Sequence, residues 1–173
     1  MSGARTLEKI KIGGIMQSDG RALLKIMSVP DQAGVASAVL EAMGQMEINI
    51  ELLVESFDID DCGNFSIVID QKDLDQALNI IEEVKATIDA KVISYTPDVA
   101  VITVFGPHLR EKPRIHGVMF SSIAAVGISS LAISTSISSV SCVVEAQYLD
   151  TAVQALEEAF DVPFRAKERP KDY

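Results

Sequence analysis

The chain has 173 residues, a charged fraction of 23% and a formal net charge of −10 at pH 7. This acidic balance argues against a broad nucleic-acid or anionic-membrane surface, because such surfaces depend on clustered Lys and Arg side chains. Because no apolar run reaches the roughly 18 residues of a membrane-spanning helix and no signal-peptide core is present, we expect a cytoplasmic protein that contacts neither nucleic acid nor membrane.

Strands and one helix are predicted for the first third of the chain. Residues 8–29 hold two short apolar segments on either side of Ser-Asp-Gly-Arg at 18–21, a typical turn sequence. After Pro30, apolar residues three or four apart predict a helix of about a dozen residues. Alternation of apolar and more polar residues then predicts a strand with one buried face. The alternating apolar residues are Ile48, Ile50, Leu52 and Val54.

A hairpin, a second helix and a short strand are predicted next. Residues 58–64 form an acidic turn before a returning strand at 65–69. The aspartates suggest Ca²⁺, but no bidentate Glu follows at the distance that an EF-hand loop needs, so we interpret the segment as an ordinary hairpin turn. Apolar spacing from Lys72 predicts the second helix. A short strand at 91–95 then ends at Thr-Pro-Asp, residues 96–98.

The same order of elements then recurs. It comprises strand 99–105, helix 115–126, strands 128–134 and 140–145, and helix 149–160. Residues of the second predicted helix recur at a constant offset of 75, whereas Ile48 and Ile128 stand 80 apart. The recurring residues are Leu74, Asp75, Ala77, Glu82 and Glu83, matched by Leu149, Asp150, Ala152, Glu157 and Glu158. We therefore predict an internal repeat of two α+β units, each with the order strand-helix-strand-strand-helix-strand.

The second repeat lacks an obvious last strand, because residues 162–165 are short and include a proline. The spare amino-terminal strand at 9–16 fills that place in our prediction and ties the two repeats into one body. The predicted domains are 22–96, and 97–163 together with 9–16. Residues 164–173 are predicted to be a flexible, solvated tail.

Three segments resemble the paired ACT domains of the aspartokinase regulatory region. Residues 28–36, SVPDQAGVA, resemble that family's G-V-P-D-x-P-G-V-A turn. Residues 48–55, INIELLVE, are similar to its N-I-N-V-D-M-I-V-Q strand, and residues 127–136, GISSLAISTS, to G-I-N-I-x-M-I-S-T-S. The resemblance extends from about residue 9 to residue 163. It implies two ferredoxin-like βαββαβ units that pair side by side, usually across a homodimer, with amino-acid effectors such as lysine or threonine bound between paired units.

The resemblance places a binding site at the first turn, and the chemistry of the residues suits a free amino acid. Backbone amides at a helix start are donors for an α-carboxylate, and Asp31 or Asn49 can accept the α-ammonium group. Glu55 stands where the family has Gln, and its charge suits a cationic ligand side chain. The expected ligand-binding residues are Asp31, Gln32, Ala33, Gly34, Val35, Asn49, Ile50 and Glu55. Turn and capping chemistry is the alternative role for Asp31, Gly34 and Asn49.

The second repeat departs from the family pattern. Pro113 and Arg114 replace its Pro-Gly pair, so close approach of a ligand to the backbone is not expected there. Ser129, Ser134 and Thr135 are the weaker candidates in this repeat.

No catalytic machinery is predicted. His108 and His116 have no Cys, His or acidic partner at metal-ligand spacing. The serines between 121 and 141 alternate with apolar residues and lack an oriented base, so packing is their expected role. No aspartokinase nucleotide motif is present. We expect no metal, no cofactor and no disulfide between Cys62 and Cys142.

Three hypotheses for function follow. The first is a stand-alone amino-acid sensor that dimerises and controls a partner allosterically, most naturally in aspartate-family metabolism. The second is a regulatory subunit or a fragment of an aspartokinase, with the kinase on another chain. The third is a dimerisation module without a ligand. The plausible natural start at Met1 and Ser2 favours the first hypothesis over the second.

Overall fold

The computed structural model describes residues 8–30, 34–107, 109–163 and 167–168, without the side chains of Thr87, Arg110, Lys167 and Glu168. The chain divides into two compact units. Unit A is formed by Asp19–Ala100 and Glu145–Gln147. Unit B is formed by the described residues of Met1–Ser18, Val101–Val144 and Tyr148–Tyr173.

Strands and helices alternate largely as the sequence predicts. In chain order the described elements are β1 Ile10–Lys11, β2 Gly14–Pro30, α1 Val35–Gln45, β3 Ile50–Phe57, β4 Cys62–Asp70, α2 Leu74–Ile88, β5 Val92–Phe105, α3 Ile115–Ala125, β6 Ala132–Thr135, β7 Ser139–Glu145, α4 Leu149–Ala159, β8 Phe160–Asp161 and β9 Lys167–Glu168. Short 3₁₀ turns lie at Gln71–Asp73, Leu109–Glu111 and Ala146–Tyr148. The α+β class is confirmed.

Two predicted chain breaks are wrong. The turn predicted at 18–21 lies inside the continuous strand β2, and the break predicted at 96–98 lies inside β5. Each strand instead contains a residue with a left-handed backbone, Gly20 with φ 60° and Asp98 with φ 51°. Such a residue bends a strand locally without ending its pairing. Arg21 already pairs with Asp70 of β4.

Unit A is a β-sheet with two helices on one face. Its strands follow the order β3-β4-β2-β5, and β4 is antiparallel to both β2 and β3. Helices α1 and α2 lie over the face formed by alternate residues of the central strands, which is the usual arrangement of a half-covered sheet. The fully buried residues of this core include Leu24, Ile26, Met43, Ile67, Ile69, Ala77 and Ile81.

Unit B contains α3, α4, β6, β7 and the carboxyl end of β5, joined by the amino-terminal segment. Strand β7 lies between β5 and β6. Strand β1 pairs in parallel with β8, and Ile10 is opposite Phe160. Amino-terminal residues thus belong to unit B, as predicted. They form β1 and the start of β2 rather than one strand. Of the predicted tail, Lys167 and Glu168 pair with Met16 and Gln17, and the other residues lie outside the described part.

Corresponding helices of the two repeats end in the same way. Helices α1 and α3 both have 11 residues. The N–H of Ile48 donates to the Met43 carbonyl at 3.0 Å, and the N–H of Ile128 donates to the Ile123 carbonyl at 3.2 Å. A left-handed residue follows each helix, Glu47 with φ 57° and Gly127 with φ 78°. Equal helix lengths and helix ends are what an internal repeat predicts.

A close backbone contact in unit B requires glycine at position 106. A Cβ atom at Gly106 would lie 2.6 Å from the Gly13 nitrogen, whereas a Cβ at Gly117 in α3 would meet nothing within 4 Å. We expect Gly106→Ala to lower the free energy of unfolding by about 1–3 kcal/mol through overpacking. The matched control Gly117→Ala should raise it by about 0.5–1 kcal/mol through helix propensity. Urea unfolding measures both, and equal effects of the two substitutions would contradict the predicted contact.

Candidate functional site

A cavity of about 180 Å³ lies in unit A where β2 leads into α1. It is lined by Val29, Pro30, Gly34, Val35, Ala36, Glu55, Phe57, Gly63 and Phe65. We call it the first cavity. Three residues of the sequence-predicted site, Gly34, Val35 and Glu55, are among those that line it.

The start of α1 supplies hydrogen-bond donors to the first cavity. Gly34 precedes the helix with φ 98°, and among the described residues no side chain caps this end. The first helical hydrogen bond is donated by Ala38 to the Gly34 carbonyl at 2.9 Å. The N–H groups of Val35 and Ala36 therefore have no carbonyl acceptor within the helix. Nothing lies within 4 Å of a Cβ placed on Gly34, so a ligand has room beside this backbone. Such a helix start attracts an anion such as a carboxylate.

A first register shift shapes the β2 side of the cavity. Ile26 is opposite Phe65 but Val29 is opposite Gly63, so β2 contains one extra residue between these pairs. Ser28 has φ 56°, and its N–H donates to the Asn64 side-chain oxygen at 3.1 Å. Because a one-residue bulge reverses the alternation of side chains, Val29 joins the helix-covered core.

A second register shift shapes the β3 side. Ile50 is opposite Ile69 but Leu52 is opposite Val68, and from there Glu55 is opposite Phe65. Directly opposed residues share a sheet face, so Glu55 lies on the same face as the core residue Phe65. Phe57, opposite Gly63, lies on this face too. The predicted uninterrupted alternation of apolar residues in this strand is therefore wrong after Ile50, because the bulge moves Leu52 and Val54 to the opposite face.

The first cavity combines three kinds of surface. Glu55 is the one ionisable side chain among the described residues that line it, and it is exposed. Phe57 is 55% exposed and Phe65 is 4% exposed, so one aromatic ring is accessible and the other is buried. A carboxylate, an accessible ring and free helix amides suit a small molecule that has both a carboxylate and a cationic group.

The other residues predicted for the first site divide into two groups. Asp31, Gln32 and Ala33 lie outside the described residues, between Pro30 and Gly34, which both line the cavity. Asn49 is exposed before β3, and Ile50 is half-buried against the unit A core. Neither of these two is a lining residue.

Sequence reasoning missed the aromatic residues of the first cavity. Phe65 is predicted only as the first residue of the returning strand at 65–69, and Phe57 falls between the predicted strand and the predicted turn at 58–64. The missing signal was the strand register, because the shifts in β2 and β3 decide which residues of the hairpin face the cavity.

A cavity of about 420 Å³ lies in unit B, and we call it the second cavity. It is lined by Gly13, Met16, Phe105, Gly106, Pro107, Ser138 and Ser139. None of these side chains is charged. The predicted candidates Ser129, Ser134 and Thr135 do not line it: Ser129 is exposed, and the other two pair with Ser141 and Val140 in the sheet.

The described residues show no metal-binding group. No three His, Cys, Asp or Glu side chains of the described ranges are placed to hold a metal ion. His116 is exposed, and His108 lies outside the described residues. Cys62 and Cys142 are both free thiols, and burial raises the pKa of Cys142 to about 12. No described helix is both long and apolar enough to cross a membrane.

Residues 102–160 match the family model of the ACT domain. The chain is 29% identical over 163 residues to the aspartate kinase of Pseudomonas putida. It is 27% identical over 161 residues to an aspartokinase of Thermus thermophilus. These alignments cover 94% and 92% of this chain but 40% and 39% of the relatives. The chain thus spans well under half the length of the curated relatives it matches.

Solved structures of aspartokinases have the same fold. A crystal structure of aspartokinase alpha and beta subunits superposes with a TM-score of 0.78 at 26% identity, over 86% of this chain and 97% of that chain. The ligand-free regulatory subunit of aspartate kinase from Thermus thermophilus gives a TM-score of 0.79 at 24% identity, over 87% and 99% of the two chains. Aspartate kinase from Synechocystis gives 0.85 at 26% identity and covers 99% of this chain.

The stability of the hairpin turn at residues 58–62, beside the first cavity, should depend on pH. The N–H groups of Asp60 and Cys62 donate to the Asp58 carboxylate at 2.9 and 3.0 Å, and these bonds, that of Cys62 first, lower the pKa of Asp58 from its ordinary value of 3.8. Because the folded pKa is depressed, the stabilisation is present above the unfolded pKa and is lost as the pH falls through the folded pKa. NMR titration of the Asp58 carboxyl carbon should show this lowered midpoint, and Asp58→Asn should abolish the acid-induced loosening of the turn. A midpoint at or above 3.8 would contradict the bonding.

Proposed function

We propose that this chain is a non-catalytic regulatory protein of two tandem ACT units that binds an amino acid in its first cavity and controls a partner enzyme of aspartate-family metabolism in the cytoplasm. The observation that supports this most is the pairing of a free helix start with the Glu55 carboxylate in one cavity. The ACT-domain match and the likeness to regulatory subunits of aspartate kinase support the same assignment.

The proposed effector is a free α-amino acid of the size of lysine or threonine. Its α-carboxylate accepts hydrogen bonds from the Val35 and Ala36 amides at the positive end of α1. A cationic group of the same ligand meets the Glu55 carboxylate and the exposed Phe57 ring. Asp31 is adjacent to this cavity in the chain and is the second proposed acceptor for the ammonium group.

The share of each relative's length that this chain matches favours a regulatory subunit or fragment of an aspartokinase as an alternative. The match covers 99% of the regulatory subunit of aspartate kinase from Thermus thermophilus and 97% of a chain in the structure of aspartokinase alpha and beta subunits, but 40% of the aspartate kinase of Pseudomonas putida. As an aspartokinase regulatory subunit or fragment, the chain would act on a kinase domain that lies elsewhere. Co-purification of a kinase chain with the natural protein would select this form over a stand-alone sensor.

Binding of amino acids is testable directly. Millimolar L-lysine or L-threonine should raise the melting temperature, since a ligand at about 100 times its dissociation constant stabilises a protein by about 2.7 kcal/mol. Asp31→Ala, Glu55→Ala and Phe57→Ala should each reduce the shift. The matched control Asp75→Ala removes an exposed acid of α2 away from the cavity and should leave the shift unchanged.

Two outcomes would contradict the assignment. If no common amino acid shifts the melting temperature, the chain is better explained as a dimerisation module without a ligand. If a shift occurs but survives all three cavity substitutions, the ligand binds elsewhere.

We further propose that the chain forms a homodimer through β3. Strand β3 is at the end of the unit A strand order, and no described strand pairs with its outer edge. Its side chains Leu53 and Phe57 are 38% and 55% exposed. A free edge with exposed apolar residues is a template for pairing with another copy.

The dimer has a simple test. Sedimentation equilibrium should give twice the chain mass of 18.7 kDa for the wild type. Leu53→Glu should shift the equilibrium to monomer, because it places a charge at the proposed interface. Ile137→Glu adds a charge at an exposed apolar residue outside β3 and should leave the dimer intact. A wild type that remains monomeric at all concentrations would refute the proposal.

A further inference from the structure

We propose that Arg21 is a positioning residue for the first cavity. It holds Glu51, the residue at the β3 bulge, and so sets the register that brings Glu55 and Phe57 to the cavity wall. This inference rests on the proposed function of the first cavity as an amino-acid site.

Arg21 joins three strands through its guanidinium group. Its Nε donates to Glu51 Oε2 at 2.5 Å. Its Nη1 donates to the Asp19 carbonyl at 2.9 Å and to Asp70 Oδ2 at 3.4 Å. The Arg21 and Glu51 side chains are only 10% and 11% exposed. The planar guanidinium fixes the direction of each bond, so β3 is tied to β2 and β4 in one relative position.

Glu51 lies at the bulge of β3, so its ion pair with Arg21 bears directly on the register of β3 against β4. The shift in β3 falls between Ile50 and Leu52, which is at Glu51 itself. Residues 52 and 53 are both leucine, so the apolar pattern alone barely distinguishes the bulged strand from a regular one. A one-residue slip would turn Glu55 and Phe57 to the opposite face of the sheet, away from the cavity.

A one-residue slip of β3 would separate the largely buried Glu51 carboxylate from the Arg21 guanidinium, and loss of this contact opposes the slip. Removal of one member of a buried ion pair is strongly unfavourable because the remaining charge is desolvated. Arg21 lies in β2, which pairs with β4 along most of its length, so its own position does not depend on β3. The position of Arg21 in β2 therefore fixes the register of the edge strand β3.

The second repeat lacks the ion pair at this place. Leu131 stands 80 residues after Glu51. The corresponding strand β6 has four residues, whereas β3 has eight. No residue of β6 lines the second cavity. The repeat without the ion pair thus has a shorter edge strand that does not contribute to its cavity.

The experiment compares Glu51→Leu, Arg21→Met and Glu51→Gln with the wild type. Leucine is the residue of the second repeat, and glutamine retains an oxygen that can accept from Arg21 Nε. Lys85→Met, which breaks the exposed Lys85–Glu82 pair, is the matched control. Hydrogen exchange of the amides of residues 50–57 reports the register without any ligand, and calorimetry at a temperature where every variant is folded reports the affinity for L-lysine and L-threonine.

We expect Glu51→Leu and Arg21→Met to accelerate β3 exchange relative to β4 and to weaken amino-acid binding by about tenfold, as the loss of one charged hydrogen bond implies. Glu51→Gln should restore most of the protection and affinity, and Lys85→Met should change neither. Unchanged β3 exchange in Glu51→Leu would overturn the proposal, even if its melting temperature falls. If Arg21→Met does not fold, β3 exchange and amino-acid affinity in the two Glu51 variants test the proposal.

The two proposals fail in different ways. If the wild type binds no amino acid, the proposed function fails, and the exchange measurement alone decides the role of Arg21. If the wild type binds but the folded Glu51→Leu variant binds equally well, the positioning role fails and the proposed function stands.

Discussion

Two one-residue register shifts determine the chemistry of the first cavity. Backbone pairing forces opposed residues of neighbouring strands onto one face, so each shift reverses every side chain beyond it. The shift in β2 turns Val29 into the core, and the shift in β3 brings Glu55 and Phe57 to the helix-covered face. Without the shift in β3, Glu55 would lie on the opposite face of the sheet from the start of α1. The Arg21 ion pair is the polar contact that favours the second shift.

The two repeats use the same fold for different surfaces. Helices α1 and α3 end with equivalent hydrogen bonds, and each cavity lies where a strand leads toward its helix. The first cavity has a carboxylate and helix amides, whereas the described lining residues of the second are uncharged and include Ser138 and Ser139.

Helices could be predicted from the sequence because they depend on the local spacing of apolar residues. Strand continuity and bulges could not, because they depend on pairing with neighbouring strands. Helices α2 and α4 begin at Leu74 and Leu149, within the predicted segments, because their apolar faces repeat every three or four residues. Residues 18–21 and 96–98 have turn chemistry but lie within strands, because pairing with neighbours outweighs local preference. The bulge at Glu51 leaves no trace in the apolar pattern of Leu52 and Leu53. The family resemblance predicts Gly34 and Glu55 as site residues, whereas the place of Phe57 depends on the bulge and is not predicted.

The most direct test of this account is an NMR titration of the protein with L-lysine and then L-threonine. The account predicts saturable shifts of the Val35 and Ala36 amides and of the Phe57 ring, with no change at Gly106, Ser138 or Ser139 around the second cavity. Saturable shifts confined to the second cavity, or no saturable shift with any amino acid, would contradict the claim that the bulged edge strand and the start of α1 form an amino-acid site.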